Sequence, residues 1–226
     1  MKRNDKFPGF PKQTVTFLRQ LRKNNNKAWF DEHRGDYDQY FVTPAKAFVE
    51  AVGKKLPRLS PRLVAQPRIN GSIYRINRDI RFSKDKTPYK DHLDFLFWEE
   101  DKKSSPSALF LRVSPDGLFL GAGAYACPDL LKKLRPAITH SIFGPELAGI
   151  AKKLRRSGHE ILGKHYKRFP RDFPQDGPAA EFLLHNSLYV VAEEPLELAY
   201  SPEVVDQAIA RWKKMLPLHE WLMNHG

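Results

Sequence analysis

Residues 75–90, RINRDIRFSKDKTPYK, set six cations, Arg75, Arg78, Arg81, Lys84, Lys86 and Lys90, against only two carboxylates, Asp79 and Asp85. Tyr74, Phe82 and Tyr89 stand among them. Arg offers a planar fork of donors to phosphate or carboxylate and Lys a mobile point charge, so the segment predicts an anion site. Phe82 and Tyr89 are its stacking surfaces for a base or sugar. Asp79 and Asp85, with Tyr89, are the acid–base candidates adjoining the cations. The surrounding positive charge favours the ionised carboxylates, which makes each a poor general acid and a modest base. A structural reading competes: the two Asp residues bridge Arg and Lys into a network that pins the loop, and the aromatics fill the core beneath. Two carboxylates cannot neutralise six cations locally, and surface ion pairs stabilise little, which favours the ligand reading.

Other chemistry-bearing patterns fail on context. GHEILGK at 158–164 has P-loop spacing, but His165 stands where a Ser or Thr hydroxyl must hold magnesium, and a helical rather than an extended segment precedes it. Gly121, Gly123 and Ala126 imitate a dinucleotide fingerprint, yet their strand belongs to a hairpin, so small residues there serve close approach of another backbone or a ligand. His159 and His219 are followed by Glu, but Gly163 and Met223 lie four residues on, so neither forms a zinc-binding HExxH helix, and no metal site or cofactor is expected. The lone Cys127 beside Pro128 suits buried packing better than nucleophilic catalysis.

One cysteine in 226 residues precludes an intramolecular disulfide and fits a reducing, cytoplasmic setting. No apolar stretch approaches the roughly 20 residues of a membrane helix, and MKRNDKFPGF lacks the apolar core of a secretory signal. The formal charge of +12 raises the prior for a polyanionic partner. The excess is uneven, because no Lys or Arg occurs from His185 through Ala210.

The elements that must position the basic segment follow from periodicity. Phe17, Leu18 and Leu21 give a first helix ending in the Asn24–Asn26 run, which caps the next helix. Thr43 before Pro44 marks a fresh helix start with Phe48, Val49, Val52 and Leu56 on its buried face. Ile69, Ile73, Tyr74 and Ile76 then alternate with polar residues, placing Arg78, Asp79 and Arg81 at a strand end. Leu93, Phe95 and Phe97 alternate as well, and strands over 109–113 and 118–125 flank the turn at 114–117. Helical periods return after Pro128. A strand over 187–191 precedes a helix over 201–212 and a short one after Pro217. Helices, strands, then helices without a linker predict an α+β fold: one domain over 7–226, a mainly antiparallel central sheet with N- and C-terminal helices packed on it, and a basic tail at 1–6.

GSIYRINRDIRFSKDKTPYK at 71–90 resembles the signature of an uncharacterised bacterial and fungal family, domain of unknown function 2461. FLRQLRKNNNKAWFDEHRGDY from Phe17, LGAGAY at 120–125 and FPQDGPAAEFLLHNSLYV from Phe173 support the likeness. It implies no activity, substrate or cofactor. His185 stands where relatives usually carry Lys, so an anion site using that position would be weaker or pH-dependent here. Three functional readings remain. The first is binding of a phosphate-bearing ligand, nucleic acid leading, with the six cations on phosphates and Phe82 and Tyr89 stacking. The second is an enzyme on an anionic small molecule, with Arg78 and Arg81 stabilising charge and Asp79 or Asp85 handling a proton. The third is a domain that docks an acidic surface. Oligomeric state is not legible.

Overall fold

The computed structural model describes residues 6–100, 105–125 and 128–226. Cys127, Ala126 and the tail over 1–5 lie outside them.

Helix α1 (Lys12–Lys23) buries Val15, Phe17, Leu18 and Leu21 on one stripe, and Arg22 and Lys23 sit in its last turn where the helix dipole favours cations. Asn26 caps α2 (Lys27–Glu32), its side-chain oxygen accepting from the Trp29 amide at 3.0 Å. After the short α3 (Arg34–Asp36), the expected break before Pro44 is absent. The chain winds instead as a π-helical stretch, Tyr37–Val42, directly into α4 (Thr43–Gly53). Pro44 has no N–H to give the carbonyl four residues back and crowds it. That carbonyl, of Tyr40, is taken by the buried Thr14 hydroxyl at 2.5 Å, so a wider turn absorbs the proline without breaking the helix.

β1 (Leu63–Val64), β2 (Leu93–Glu99), β3 (Ala108–Ser114), β4 (Gly117–Ala124), β5 (Leu162–Lys164) and β6 (His185–Glu194) form an antiparallel sheet ordered β1-β2-β3-β4-β6-β5. Leu93, Phe95 and Phe97 are buried in alternation on β2, as their period predicts. The expected strand over 69–76 is not formed. Isolated bridges, Ile69 to Ile73, Ile73 to Phe95 and Asn77 to Tyr89, hold an irregular segment there.

The chain gathers into two compact units, one of residues 1–97, 110–120 and 193–210, the other of 98–109, 121–192 and 211–226. No linker separates them in sequence: β2, β3, β4 and β6 each supply residues to both. In the first unit the rings of Phe10, Phe48 and Phe95 meet at centroid distances of 4.7–5.9 Å. In the second, α5 (Pro128–Thr139) and α6 (Phe143–Arg156) bury Leu131, Leu134 and Ile138 and Leu147, Ala151 and Leu154 respectively. The short α7 (Leu196–Ala199) leads to α8 (Val204–His225), which continues through Pro217 rather than stopping before it. Burial of Trp212, Met215, Leu218 and Leu222 on its apolar side outweighs the missing hydrogen bond.

Gly123 on β4 shows why the small residues of 120–125 are needed. Its φ is +134°, and a Cβ there would lie 2.3 Å from the Leu188 carbonyl oxygen and 2.5 Å from the Tyr189 Cα of β6. Gly123→Ala therefore combines a left-handed backbone with a clash against a neighbouring strand. Its expected cost is about 2–4 kcal/mol, read as a lowered urea midpoint.

Candidate functional site

Residues 77–89 leave the sheet region as an irregular excursion closed at its base. The Arg78 amide donates to the Pro88 carbonyl at 2.9 Å and the Lys90 amide to that of Ile76 at 2.7 Å. A second tie comes from the N-terminal helices. Asn25 offers both ends of its side-chain amide to Tyr89: Nδ2 donates to the Tyr89 carbonyl at 2.9 Å, and Oδ1 accepts from the Tyr89 amide at 3.0 Å. The buried Tyr89 ring stacks on Phe30 with centroids 4.3 Å apart.

Within the excursion each carboxylate takes one arginine. Arg81 holds Asp79 through two bonds of 3.0 and 2.7 Å, and Arg78 reaches Asp85 at 2.5 Å, the Thr87 carbonyl at 3.1 Å and the Thr87 hydroxyl. Asp85 also accepts from the Thr87 amide at 2.9 Å. Lys86 donates to the Ile80 carbonyl at 3.0 Å. The hydrogen bonds from Arg81 hold Asp79 down at about 2, and those from Thr87 and Arg78 do the same for Asp85. Arg78 and Arg81 are thus engaged by the loop itself, whereas Arg75, Lys84 and Lys90 have no carboxylate in ion-pair contact among the described residues.

A cavity of about 560 Å³ opens beside this loop. Arg78, Asp79, Asp85, Tyr89 and Lys90 line it, joined by Thr87, Arg22, Asn25, Asp91 and His92. Arg75, Arg81, Phe82, Lys84 and Lys86 do not. Phe82 instead stands 95% exposed with the Arg81 guanidinium 5.8 Å from its ring centre. An ionic network begins at three of the lining residues, Arg22, Asp91 and His92. Arg22 donates to Asp91 at 2.6 Å and to both oxygens of Asp116 at 2.9 and 2.6 Å. His92 faces Asp91 at 3.0 Å and Asp94 at 3.2 Å, and Arg112 holds Asp94 at 2.6 Å. Burial pushes the Asp94 carboxyl up, but bonds from His92 and Arg112 outweigh it and leave it at about 2.

Lys90 is the exception in this paired set. Its ammonium lies 4.8 Å from the Tyr74 ring centre, and its pKa is lowered, chiefly by burial and further by the Arg112 and Arg75 charges, with Asp94 opposing. A partly buried cation with no carboxylate in contact among the described residues carries a desolvation cost that an incoming anion would relieve. Sequence reasoning missed Arg22, Asn25, Thr87, Asp91 and His92 as cavity residues; it read the Asn24–Asn26 run only as a helix cap.

One other residue singled out in the sequence lies outside the cavity. His185 is buried on β6 of the second unit, its Nδ1 3.1 Å from the Glu181 carbonyl oxygen, and burial lowers its pKa. It is not among the cavity residues. Ser107, His219 and Glu99, also in the second unit, have the composition of a hydrolase triad, with Ser107 Oγ 2.8 Å from His219 Nδ1 and His219 Nε2 3.5 Å from Glu99. All three are buried. No group of three or more His, Cys, Asp or Glu side chains is placed to hold a metal ion among the described residues, and no helix there is long and apolar enough to cross a membrane.

A family model described as a conserved hypothetical protein, DUF2461, matches residues 13–221. The chain belongs to this family. The matched span includes the whole excursion, the Asn25 clasp and every cavity residue. No curated protein and no solved structure matches the chain.

Two outcomes follow from this geometry. Asn25→Ala strands the Tyr89 amide and carbonyl and should cost about 1–3 kcal/mol, with new protease cleavage inside 75–90. The low carboxyl pKa values of Asp79 and Asp85 mean that the stability from their pairs is complete above the ordinary value of about 3.9. It is lost as pH falls through about 2. Carboxyl-carbon NMR titration should give midpoints near 2 for both, and ordinary values would contradict the pairing.

Proposed function

We propose that the protein binds a phosphate-bearing ligand at its signature segment, and that the ligand is a small molecule held in the cavity. The observation that carries this reading is Lys90, a half-buried ammonium with no carboxylate in ion-pair contact among the described residues, at the wall of a cavity of about 560 Å³. That volume lies within the range typical of small-molecule sites, roughly 300–1,000 Å³. Lys90 supplies the anion contact. Asp79, Asp85 and Asp91, each paired with an arginine, bring acceptor oxygens to the same walls, which suits hydroxyl donors on the body of the ligand. A phosphorylated, hydroxyl-rich compound meets both requirements, and the cytoplasm is where we place its binding.

The second reading, turnover of that ligand, draws on the same cavity. Asp79 and Asp85 are ionised at neutral pH, so either would serve as a base or a hydroxyl-orienting acceptor and not as a general acid.

The test is thermal unfolding of the full chain with inorganic phosphate and a panel of phosphorylated sugars and nucleotides. A compound present at 100 times its Kd should stabilise the fold by about 2.7 kcal/mol, a rise of about 2–4 °C for each kcal/mol in a chain of this size. Lys90→Met should remove the response while leaving the unliganded melting temperature unchanged or raised. A panel without effect, or a response undiminished in Lys90→Met, would sink the reading.

A further inference from the structure

The densest positive charge in the chain is not in the signature. Residues 152–171, KKLRRSGHEILGKHYKRFPR, carry eight Lys and Arg against the single Glu160. They belong to the second unit, which does not contain the cavity.

Local structure accounts for some of these charges. Lys153, Arg155 and Arg156 occupy the last turn of α6, where cations complement the helix dipole. Arg155 is also taken by Glu181 through bonds of 2.8 and 2.7 Å. Neither explanation extends to Lys164, Lys167, Arg168 and Arg171, which are exposed and have no carboxylate partner among the described residues. Lys152, Lys153 and Arg156 are likewise exposed and unpaired there. At 100° per residue they cluster on the side of α6 opposite the buried Leu147, Ala151 and Leu154.

The two sets of cations adjoin. Only five residues separate Arg156 from Leu162 at the start of β5. Arg155 is tied to Glu181, Glu181 receives His185 at its carbonyl, and His185 is the register partner of Lys164. The strand end continues into 165–171, where His165, Tyr166 and Phe169 alternate with the basic residues. The His165 and Tyr166 rings meet edge to face at 5.0 Å, and the Arg135 guanidinium lies 6.0 Å from the Tyr166 ring centre.

We infer that this surface, formed by the end of α6, β5 and residues 165–171, is a binding face for single-stranded nucleic acid. Unpaired exposed cations in series neutralise successive phosphates, and rings set between them give bases a π-face to stack on. An acidic membrane would be met by the charge but not by the pattern. The segment presents no amphipathic helix with an exposed apolar face, since the apolar side of α6 is buried. The site is separate in residues from the cavity, so it stands or falls independently of Lys90.

The experiment measures binding of the full-length protein to a fluorescently labelled oligothymidylate of about 20 nucleotides, a length exceeding the usual single-strand site, by anisotropy across a salt series. The wild type should bind with a steep salt dependence. The variant Lys152→Gln, Arg156→Gln, Lys164→Gln, Lys167→Gln should bind at least about tenfold more weakly, its log–log salt slope shallower by about 0.7 for each phosphate no longer neutralised. These side chains are exposed, and an unchanged circular dichroism spectrum verifies folding; single Lys164→Gln and Lys167→Gln variants, each expected to weaken binding, repeat the test if the quadruple variant fails to fold. Lys84→Gln with Lys86→Gln, on the signature loop, should leave oligonucleotide affinity unchanged. The inference is overturned if the wild type does not bind the oligonucleotide, if the substitutions in 152–167 have no effect, or if the loop variant alone abolishes binding. Binding through these residues to vesicles containing phosphatidylserine, with none to the oligonucleotide, would also overturn it.

Discussion

The two-way hydrogen bond between the Asn25 side chain and the Tyr89 backbone is the constraint on which the candidate site rests. Residues 65–92 contain little regular structure, so their backbone donors and acceptors must find partners outside a ladder. Asn25 satisfies two of them across a separation of 64 residues, at 2.9 and 3.0 Å. Its neighbour Asn26 caps α2, so the junction that receives the excursion is itself fixed. Phe30, one turn into that helix, then meets the Tyr89 ring. Lys90 follows immediately in the chain, and its position at the cavity wall is inherited from these contacts.

Electrostatics then sorts residues that look alike in sequence. In the signature, Asp79 and Asp85 each draw one arginine into the loop, which turns two of six cations into structural ties and leaves Lys90 poised in a partly desolvated place. These pairs are exposed, so they shape the loop more than they stabilise the fold. In residues 152–171 the single Glu160 cannot do this, and the charge stays at the surface. A local carboxylate count separates a loop that organises itself around its charge from one that presents its charge outward.

Periodicity and composition alone determined the α+β class, the alternation of β2, the hairpin of β3 and β4, the stripes of α1, α5 and α6, the cap at the Asn run and the location of the signature. Those features depend on neighbours within a turn or a strand repeat, which is the range over which hydrophobic spacing carries information. Prolines misled it twice. At Pro44 and Pro217 helices continue because the Thr14 hydroxyl, for the first, and the burial of Trp212, Met215 and Leu218, for the second, come from contacts that periodicity does not contain. The predicted strand over 69–76 failed for the same reason: its apolar residues are held by isolated bridges and not by a ladder. Only the tertiary structure decided which charges are paired. Arg22 finds Asp116 at a separation of 94 residues and Asp91 at 69, and no pattern in the sequence selects those partners over other carboxylates, because pairing depends on where folding brings the chain back on itself.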